Sequence, residues 1–194
     1  MKIILASKSM VRKKILEKHN IVCKVVHSNV DEDEVKNSLL ESGADPLLIS
    51  KNLAEIKSIK VSRQFPNELV IGADSVVSLN DELINKPNSR EEAIEILKKL
   101  NNSVHFLISS VCINKNGSMV WNTSDKSELK MKNFTINQLK EYLEKIKTET
   151  LLSYGVYQIE AGGLDLFEYI KGDKESIMGL PIKDITNYIN SYIR

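Results

Sequence analysis

The first twenty residues constrain the fold most, because they have the pattern of a buried strand, a short polar turn and a helix. Lys2–Ala6 is apolar after its first residue, Ser7 ends the run, and Ser9 precedes a helical pattern over Val11–His19. A strand that passes directly into a helix is typical of proteins in which helices cover the faces of a sheet. The opening of the chain therefore predicts an α/β fold.

The rest of the chain alternates strand and helix patterns, with no repeat, low-complexity tract or linker. Apolar and alternating segments predict strands at 21–26, 69–73 with an extended continuation at 76–79, 104–113, 118–132 and 166–170, and helical spacing predicts helices at 46–63, 89–100, 135–146 and after Pro181. We therefore predict a single domain over residues 1–194, with a mixed central sheet flanked by helices.

Charge and composition exclude several classes of protein. The 194 residues carry 27 Lys and Arg against 26 Asp and Glu, so a partner that is a nucleic acid polymer is not expected. The N-terminal apolar run is too short for a signal peptide or a membrane span, and we expect a cytoplasmic protein that does not bind membranes. Cys23 and Cys112 lie in apolar stretches, which favours reduced core residues over a disulfide.

Hydroxyl groups and cations gather where the first helix begins. Ser7, Ser9 and Arg12 stand at or next to its N-terminus. Free backbone N–H groups and the helix dipole attract anions there, and an arginine adds hydrogen bonds to phosphate. The alternative is a serine N-cap followed by a solvated basic helix face.

A second group of residues surrounds Asp74. Gly72-Ala73-Asp74-Ser75 follows a buried strand, which places the carboxylate at the strand's end, and Lys86-Pro87 lies about a hairpin's length further on. Small residues would let a ligand approach Asp74 closely, where the carboxylate can bind Mg²⁺ or accept a proton from water and Lys86 can neutralise a phosphate. The alternative makes Asp74 a turn residue and Lys86 a surface charge.

Two further features are compatible with this site. The acidic run at 31–34 is typical of a solvated segment, but it would supply a metal ligand if it faced Asp74. Lys57 lies among apolar residues of the long predicted helix, which is unusual for an exposed lysine. Five of the eight glycines fall between 155 and 179, which suggests tight turns and close backbone approach in that region.

Together and in this order, the segments resemble the Maf family, often labelled septum-formation proteins, over almost the whole chain. The matching pieces are Ala6-Ser7-Lys8-Ser9-Met10-Val11-Arg12, Asp31-Glu32, Leu53-Ala54-Glu55-Ile56-Lys57, Gly72-Ala73-Asp74-Ser75, Lys86-Pro87, His105, Gly155-Val156-Tyr157-Gln158-Ile159-Glu160, Leu166-Phe167-Glu168-Tyr169-Ile170-Lys171-Gly172-Asp173 and Gly179-Leu180-Pro181. Each piece is short, but their order along one chain is specific.

The resemblance implies a fold like that of the Maf and inosine triphosphatase proteins, with two lobes, a central cleft and a homodimeric assembly. It also implies a nucleoside triphosphate pyrophosphatase, in which water attacks the α-phosphorus and releases a monophosphate and pyrophosphate. The roles it implies are catalytic for Asp74, Lys57 and Lys86, metal binding (Mg²⁺ or Mn²⁺) for Glu32 and Asp74, and substrate binding for Ser7, Ser9, Arg12, Ser75 and Glu160.

The sequence departs from the family pattern at one place and leaves the base preference open at another. Met10-Val11-Arg12 replaces the family's Pro-Arg-Arg, so one guanidinium is missing, and Lys8 or Lys13 would replace it only as a point charge. Many pyrimidine-preferring members carry Gln at the position of Glu160, whereas a related branch that acts on 7-methylguanosine triphosphate carries Glu there, as this chain does. A carboxylate accepts hydrogen bonds from a guanine edge, which favours that substrate or a broad specificity.

Two other functions remain open at the level of the sequence. The missing arginine is compatible with a nucleotide-binding regulatory protein of the same fold that catalyses weakly. A nucleotidyltransferase would use the same phosphate chemistry, although no motif for a second substrate is evident.

Overall fold

The computed structural model describes residues 2–159 and 163–193. Its strands are β1 (Ile3–Leu5), β2 (Cys23–Val25), β3 (Leu69–Leu79), β4 (Glu82–Ile84), β5 (Val104–Lys115), β6 (Ser118–Met131) and β7 (Phe167–Lys171). Its helices are α1 (Met10–Lys18), α2 (Glu32–Glu41), α3 (Pro46–Ser62), α4 (Arg90–Leu100), α5 (Ile136–Glu144), α6 (Thr148–Tyr154), α7 (Lys174–Ile177) and α8 (Ile182–Ile193), with a 3₁₀ turn at Gly163–Leu166.

All seven strands form one mixed sheet in the order β2-β1-β3-β5-β6-β7, with β4 paired to β3. The two strands nearest the N-terminus run parallel to their neighbours, and β3 to β7 pair antiparallel. Helices lie on both faces. The predicted fold class, a mixed α/β sheet flanked by helices, is confirmed.

Alternate residues of β3 divide the core between the two faces of the sheet. Odd-numbered residues face two apolar clusters: Leu69, Ile71 and Ala73 pack with α1 and α8, whereas Val77 and Leu79 pack with α4, α5 and α6. The opposite face, which holds Asp74 and Val76, is covered by α2 and α3.

The edge of β3 that faces β1 is left open in its middle. β1 pairs with β3 only at residues 69–71, and β4 pairs with the same edge only at residues 77–79. Among the described residues, no strand pairs with 72–76 on this edge, while β5 pairs along the other edge. Three of these residues, Asp74, Ser75 and Val76, line a cleft and can be approached by a ligand from outside the sheet.

A glycine brings α3 into direct contact with β3. A Cβ atom at Gly72 would lie 2.1 Å from the carbonyl oxygen of Ala54 and 2.8 Å from the backbone nitrogen of Ser58. Neither backbone atom can move away without shifting the helix, so no larger residue fits. We expected the small residues before Asp74 to admit a ligand; at Gly72 the structure shows that they admit a helix instead.

The structure also corrects two local predictions. Asp74 lies inside β3 and not at a strand's end, because the extended continuation at 76–79 belongs to the same strand. The acidic run at 31–34 opens helix α2, whose N-cap Asp31 accepts a hydrogen bond from the backbone of Glu34. Acidic residues in a first turn are stabilised by the helix dipole.

Two short helices, α6 and α7, were also absent from the sequence prediction. Across residues 2–159 and 163–193, none of the helices has the length and apolar character needed to cross a membrane.

Candidate active site

A cleft of about 560 Å³ opens at the unpaired segment of β3. The end of β1, the N-terminus of α1, the middle of β3 and the segment after β4 surround its polar end. Its lining includes seven charged side chains among the described residues: Lys8, Arg12, Lys36, Lys57, Lys86, Glu32 and Asp74. Five cations against two carboxylates make this part of the molecule attractive to a polyanion.

Lys57 joins two carboxylates at the floor of the polar end. Its Nζ lies 2.7 Å from Asp74 Oδ1 and 2.9 Å from Glu32 Oε1. Lys57 and Asp74 are both 5% exposed, whereas Glu32 is partly open to solvent. Three different elements, α2, α3 and β3, therefore converge on one buried ammonium group.

The second oxygen of Asp74 has no such partner. Asp74 Oδ2 is buried and makes no hydrogen bond within the described part of the chain. An unpaired buried carboxylate oxygen carries a desolvation cost, which a ligand, an ion or a water molecule would relieve. Asp74 Oδ2 is thus a buried acceptor that is free within the described residues.

The charges around Glu32 keep it ionised. Burial alone would raise the pKa of Glu32, but Lys57, with smaller contributions from Lys36 and Lys86, outweighs that effect and lowers the pKa. Glu32 is therefore an oxygen donor at neutral pH.

Lys86 lies at the mouth of the cleft with part of its surface exposed. Desolvation by the surrounding chain lowers the pKa of Lys86, Glu32 and Asp74 offset part of this, and the like charges of Lys36 and Arg12 lower it further. Its ammonium group is thus held among competing charges, and an added anion would favour the protonated form.

Arg12 is bound mainly by the protein itself. Its guanidinium donates hydrogen bonds to the carbonyl oxygens of Ala73 (2.8 Å) and Gly179 (2.9 Å) and to the hydroxyls of Ser75 (3.1 Å) and Ser7 (3.3 Å). The bond to Ala73 satisfies a carbonyl on the open edge of β3. Arg12 therefore ties β1, β3 and the turn after α7 together.

Gly179 makes room for this arginine. The residue has φ +102°, and a Cβ atom there would lie 3.2 Å from Arg12 Nε and 3.1 Å from Ser75 Oγ. Both the backbone conformation and the contacts favour glycine. The contact with Arg12 therefore explains why one of the five glycines between 155 and 179, Gly179, is a glycine.

The three predicted serines take different places. Ser9 is the N-cap of α1 and accepts from the Arg12 backbone at 3.3 Å, while Ser7 accepts from the Ser9 backbone at 3.1 Å. Ser75 Oγ lies 2.8 Å from Ser109 Oγ, a buried group that sequence patterns did not single out. Ser75 and Ser109 separate the two apolar clusters on their face of the sheet.

The other end of the cleft is apolar. It is lined by side chains of the cluster that packs with α4, α5 and α6, namely Val77, Ile84, Ile96, Leu100, Leu107, Val156, Tyr157, Ile159 and Ile177. Behind Tyr157, His105 Nε2 lies 2.9 Å from the tyrosine hydroxyl. Burial lowers the pKa of His105 to about 4, so the ring is neutral and serves as a support for Tyr157.

The structure thus brings Ser7, Ser9, Arg12, Glu32, Lys57, Asp74, Ser75 and Lys86 to one cleft. Glu160 lies outside the described residues. Lys36 was missed by the sequence reasoning, and the signal was available: Asp31 begins a helix, and Lys36 then falls one turn after Glu32 on the same face. Lys13 faces Glu17 at 3.4 Å and is not part of the cleft lining.

The family of this chain follows from its sequence. The family model for Maf-like proteins matches residues 2–192. The chain belongs to the Maf family. A nucleoside triphosphate pyrophosphatase of Pelagibacter ubique is 57% identical over 187 residues, which cover 96% of each chain. A 7-methyl-GTP pyrophosphatase of Brucella abortus is 36% identical over 181 residues, 93% of this chain and 91% of the relative.

Among solved structures, the Staphylococcus aureus Ham1 protein matches with a TM-score of 0.44 and 14% identity, over 68% of this chain and 72% of that one.

This chain departs from the Maf family motif at Met10 and Val11, and the structure shows where each of these residues lies. Met10 is the first residue of α1, a position that suits proline but does not require it. Val11 lines the cleft and packs against the cluster of α1 and α8. The missing guanidinium therefore removes a cation from the cleft side of the helix and adds an apolar contact.

We predict that Arg12→Met destabilises the ligand-free protein by about 2 kcal/mol, because hydrogen bonds from a charged donor to partly buried groups are lost. Thermal and urea denaturation without ligand measure this change. Arg63→Met, at an exposed arginine, is the control and is expected to change stability by less than about 0.5 kcal/mol. An Arg12→Met protein as stable as the parent would show that Arg12 contributes through substrate alone.

Proposed function

We propose that this protein hydrolyses a nucleoside triphosphate to the nucleoside monophosphate and pyrophosphate. The observation that carries the proposal is the convergence of a free, buried carboxylate oxygen, Asp74 Oδ2, with five cations in one cleft. An apolar end suits a base, and a cationic end suits a triphosphate. The activities in the names of the Pelagibacter and Brucella relatives are of the same kind.

In the proposed reaction, water attacks the α-phosphorus. The water oxygen forms a new bond to phosphorus, the bond from the α-phosphorus to the α,β-bridging oxygen breaks, and pyrophosphate leaves with that oxygen. Asp74 Oδ2 accepts the proton of the attacking water, while Lys57 holds Oδ1 in place. Phosphoryl-type transfers depend chiefly on positioning and on neutralising charge, which is the role of the lysines here.

A divalent cation, Mg²⁺ or Mn²⁺, would be held by Glu32 and Asp74. Carboxylate oxygens are the donors these ions prefer, and Lys57 contacts only one oxygen of each side chain, Glu32 Oε1 and Asp74 Oδ1, in the described chain. Among the described residues, no group of three or more His, Cys, Asp and Glu is placed to hold a metal. Phosphate oxygens and water would complete the coordination, and the cation would supply charge neutralisation on the triphosphate.

We further propose a preference for 7-methylguanosine triphosphate or a broad base specificity, supported by Glu160 in the sequence and by the name of the Brucella relative. A panel of 7-methyl-GTP, GTP, UTP and dTTP with Mg²⁺ or Mn²⁺ tests both proposals. We expect the monophosphate and pyrophosphate, with ¹⁸O from labelled water in the monophosphate. Label in pyrophosphate would contradict attack at the α-phosphorus, and strict use of UTP and dTTP would contradict the preference.

Two outcomes of the same panel would overturn the reaction itself. Release of orthophosphate with a diphosphate would place the attack at the γ-phosphorus. Tight binding of triphosphate without turnover under either metal would favour the regulatory nucleotide-binding protein.

We predict that Asp74→Asn lowers kcat by about 10²-fold or more, because the amide cannot accept a proton from water as the carboxylate does. Steady-state kinetics on the best substrate of the panel measure this. Circular dichroism and thermal unfolding serve as the control for folding, since Lys57 keeps Glu32 as a partner in this variant. Turnover within threefold of the parent would exclude Asp74 as the base.

We predict that Lys86→Arg moves the alkaline limb of the kcat/KM profile to higher pH. The pKa of Lys86 is lowered, so the lysine loses its charge at a lower pH than an ordinary lysine, whereas arginine stays charged. Profiles between pH 6 and about 11 compare the two proteins, with Lys51→Arg on the exposed side of α3 as the control. Superimposable alkaline limbs would exclude Lys86 as the titrating group.

A further inference from the structure

Lys36 is a partly buried cation of the cleft with no protein partner at hydrogen-bond distance. Its side chain is 16% exposed, and its Nζ lies 3.7 Å from Asp33 Oδ1, beyond hydrogen-bond distance. Asp33 itself is 91% exposed and faces solvent. Within residues 2–159 and 163–193, the Lys36 ammonium group donates no hydrogen bond to the protein, so its N–H groups are free for a ligand. A cation of the cleft lining with free N–H groups can bind an anion from outside the chain.

Lys57 does not have the same freedom. Its ammonium group already contacts Glu32 and Asp74 at hydrogen-bond distance, and those contacts position Asp74. An anion that took Lys57 away from Asp74 would disturb the proposed base. Lys36 can contact a phosphate without breaking any ion pair of the site.

Lys36 also lies on the side of β3 opposite the apolar end of the cleft. The apolar wall includes Val77 and Leu107, which face the cluster of α4, α5 and α6. Helix α2, which carries Lys36, packs on the opposite face with Val76 and Ile108. If the nucleobase lies against the apolar wall and the α-phosphorus lies near Asp74, the β- and γ-phosphates extend toward α2.

We propose that Lys36 binds the pyrophosphate half of the substrate and of the products. The inference rests on the proposed function, because it assumes that a triphosphate occupies the cleft with its base at the apolar end. It adds to the site a substrate-binding residue outside the motifs that place the chain in its family.

Binding of the separate products tests this assignment. Isothermal calorimetry with Mg²⁺ measures the affinity of the full chain for inorganic pyrophosphate and, in separate titrations, for guanosine and uridine monophosphates. We expect Lys36→Met to weaken pyrophosphate binding about tenfold or more, as expected for loss of one charge-assisted contact, and to leave monophosphate binding within twofold. Lys36→Arg should restore most of the pyrophosphate affinity.

Lys51→Met is the matched control, because it removes the same charge from an exposed position on the neighbouring helix α3. If Lys36→Met unfolds, Lys36→Gln is measured in its place. Equal weakening of both products, or no weakening of either, would overturn the proposal. These titrations need no turnover: a parent that binds pyrophosphate without hydrolysing triphosphates contradicts the proposed function and still decides the role of Lys36.

Discussion

The contact between α3 and β3 at Gly72 is the constraint on which the site depends. A Cβ atom added at Gly72 would lie only 2.1 Å from the Ala54 carbonyl oxygen, so the helix packs at a distance that only glycine permits. At this separation the Lys57 ammonium reaches Asp74 on the same face of β3. A helix held further out would leave a buried carboxylate without its cation, a state that costs several kcal/mol. Packing of the backbone therefore determines the electrostatics of the site.

Arg12 makes the corresponding connection on the other face. Its hydrogen bonds to Ala73 and Gly179 hold the open edge of β3 and the turn after α7 in fixed positions, and Ser75 links it to Ser109. This polar chain lies between the two apolar clusters. These hydrogen bonds fix the boundary between the polar and apolar ends of the cleft, so an arginine that the sequence predicts to bind phosphate also shapes the cleft.

Much of the site was predictable because it lies in short motifs at the ends of strongly patterned elements. Lys57 stood out as a lysine on an apolar helix face, and its burial confirms that signal. Gly72 was misinterpreted, since a sequence does not show which element approaches a glycine. Lys36 was missed because the acidic residues before it have the composition of a solvated segment, and only the helix of α2 turns Glu32 and Lys36 toward the same cleft.

The distribution of charge explains how an almost neutral chain forms a cleft in which cations outnumber carboxylates. The whole sequence carries a formal charge of +1, whereas the described cleft lining holds five cations and two carboxylates. Glu32 and Asp74 both form ion pairs with Lys57. In the described chain, Lys36, Lys86 and Arg12 therefore have no direct ion pair at hydrogen-bond distance that neutralises their charge. The two carboxylates therefore stabilise the buried Lys57, and the other cations of the cleft would be available to the phosphates of the proposed substrate.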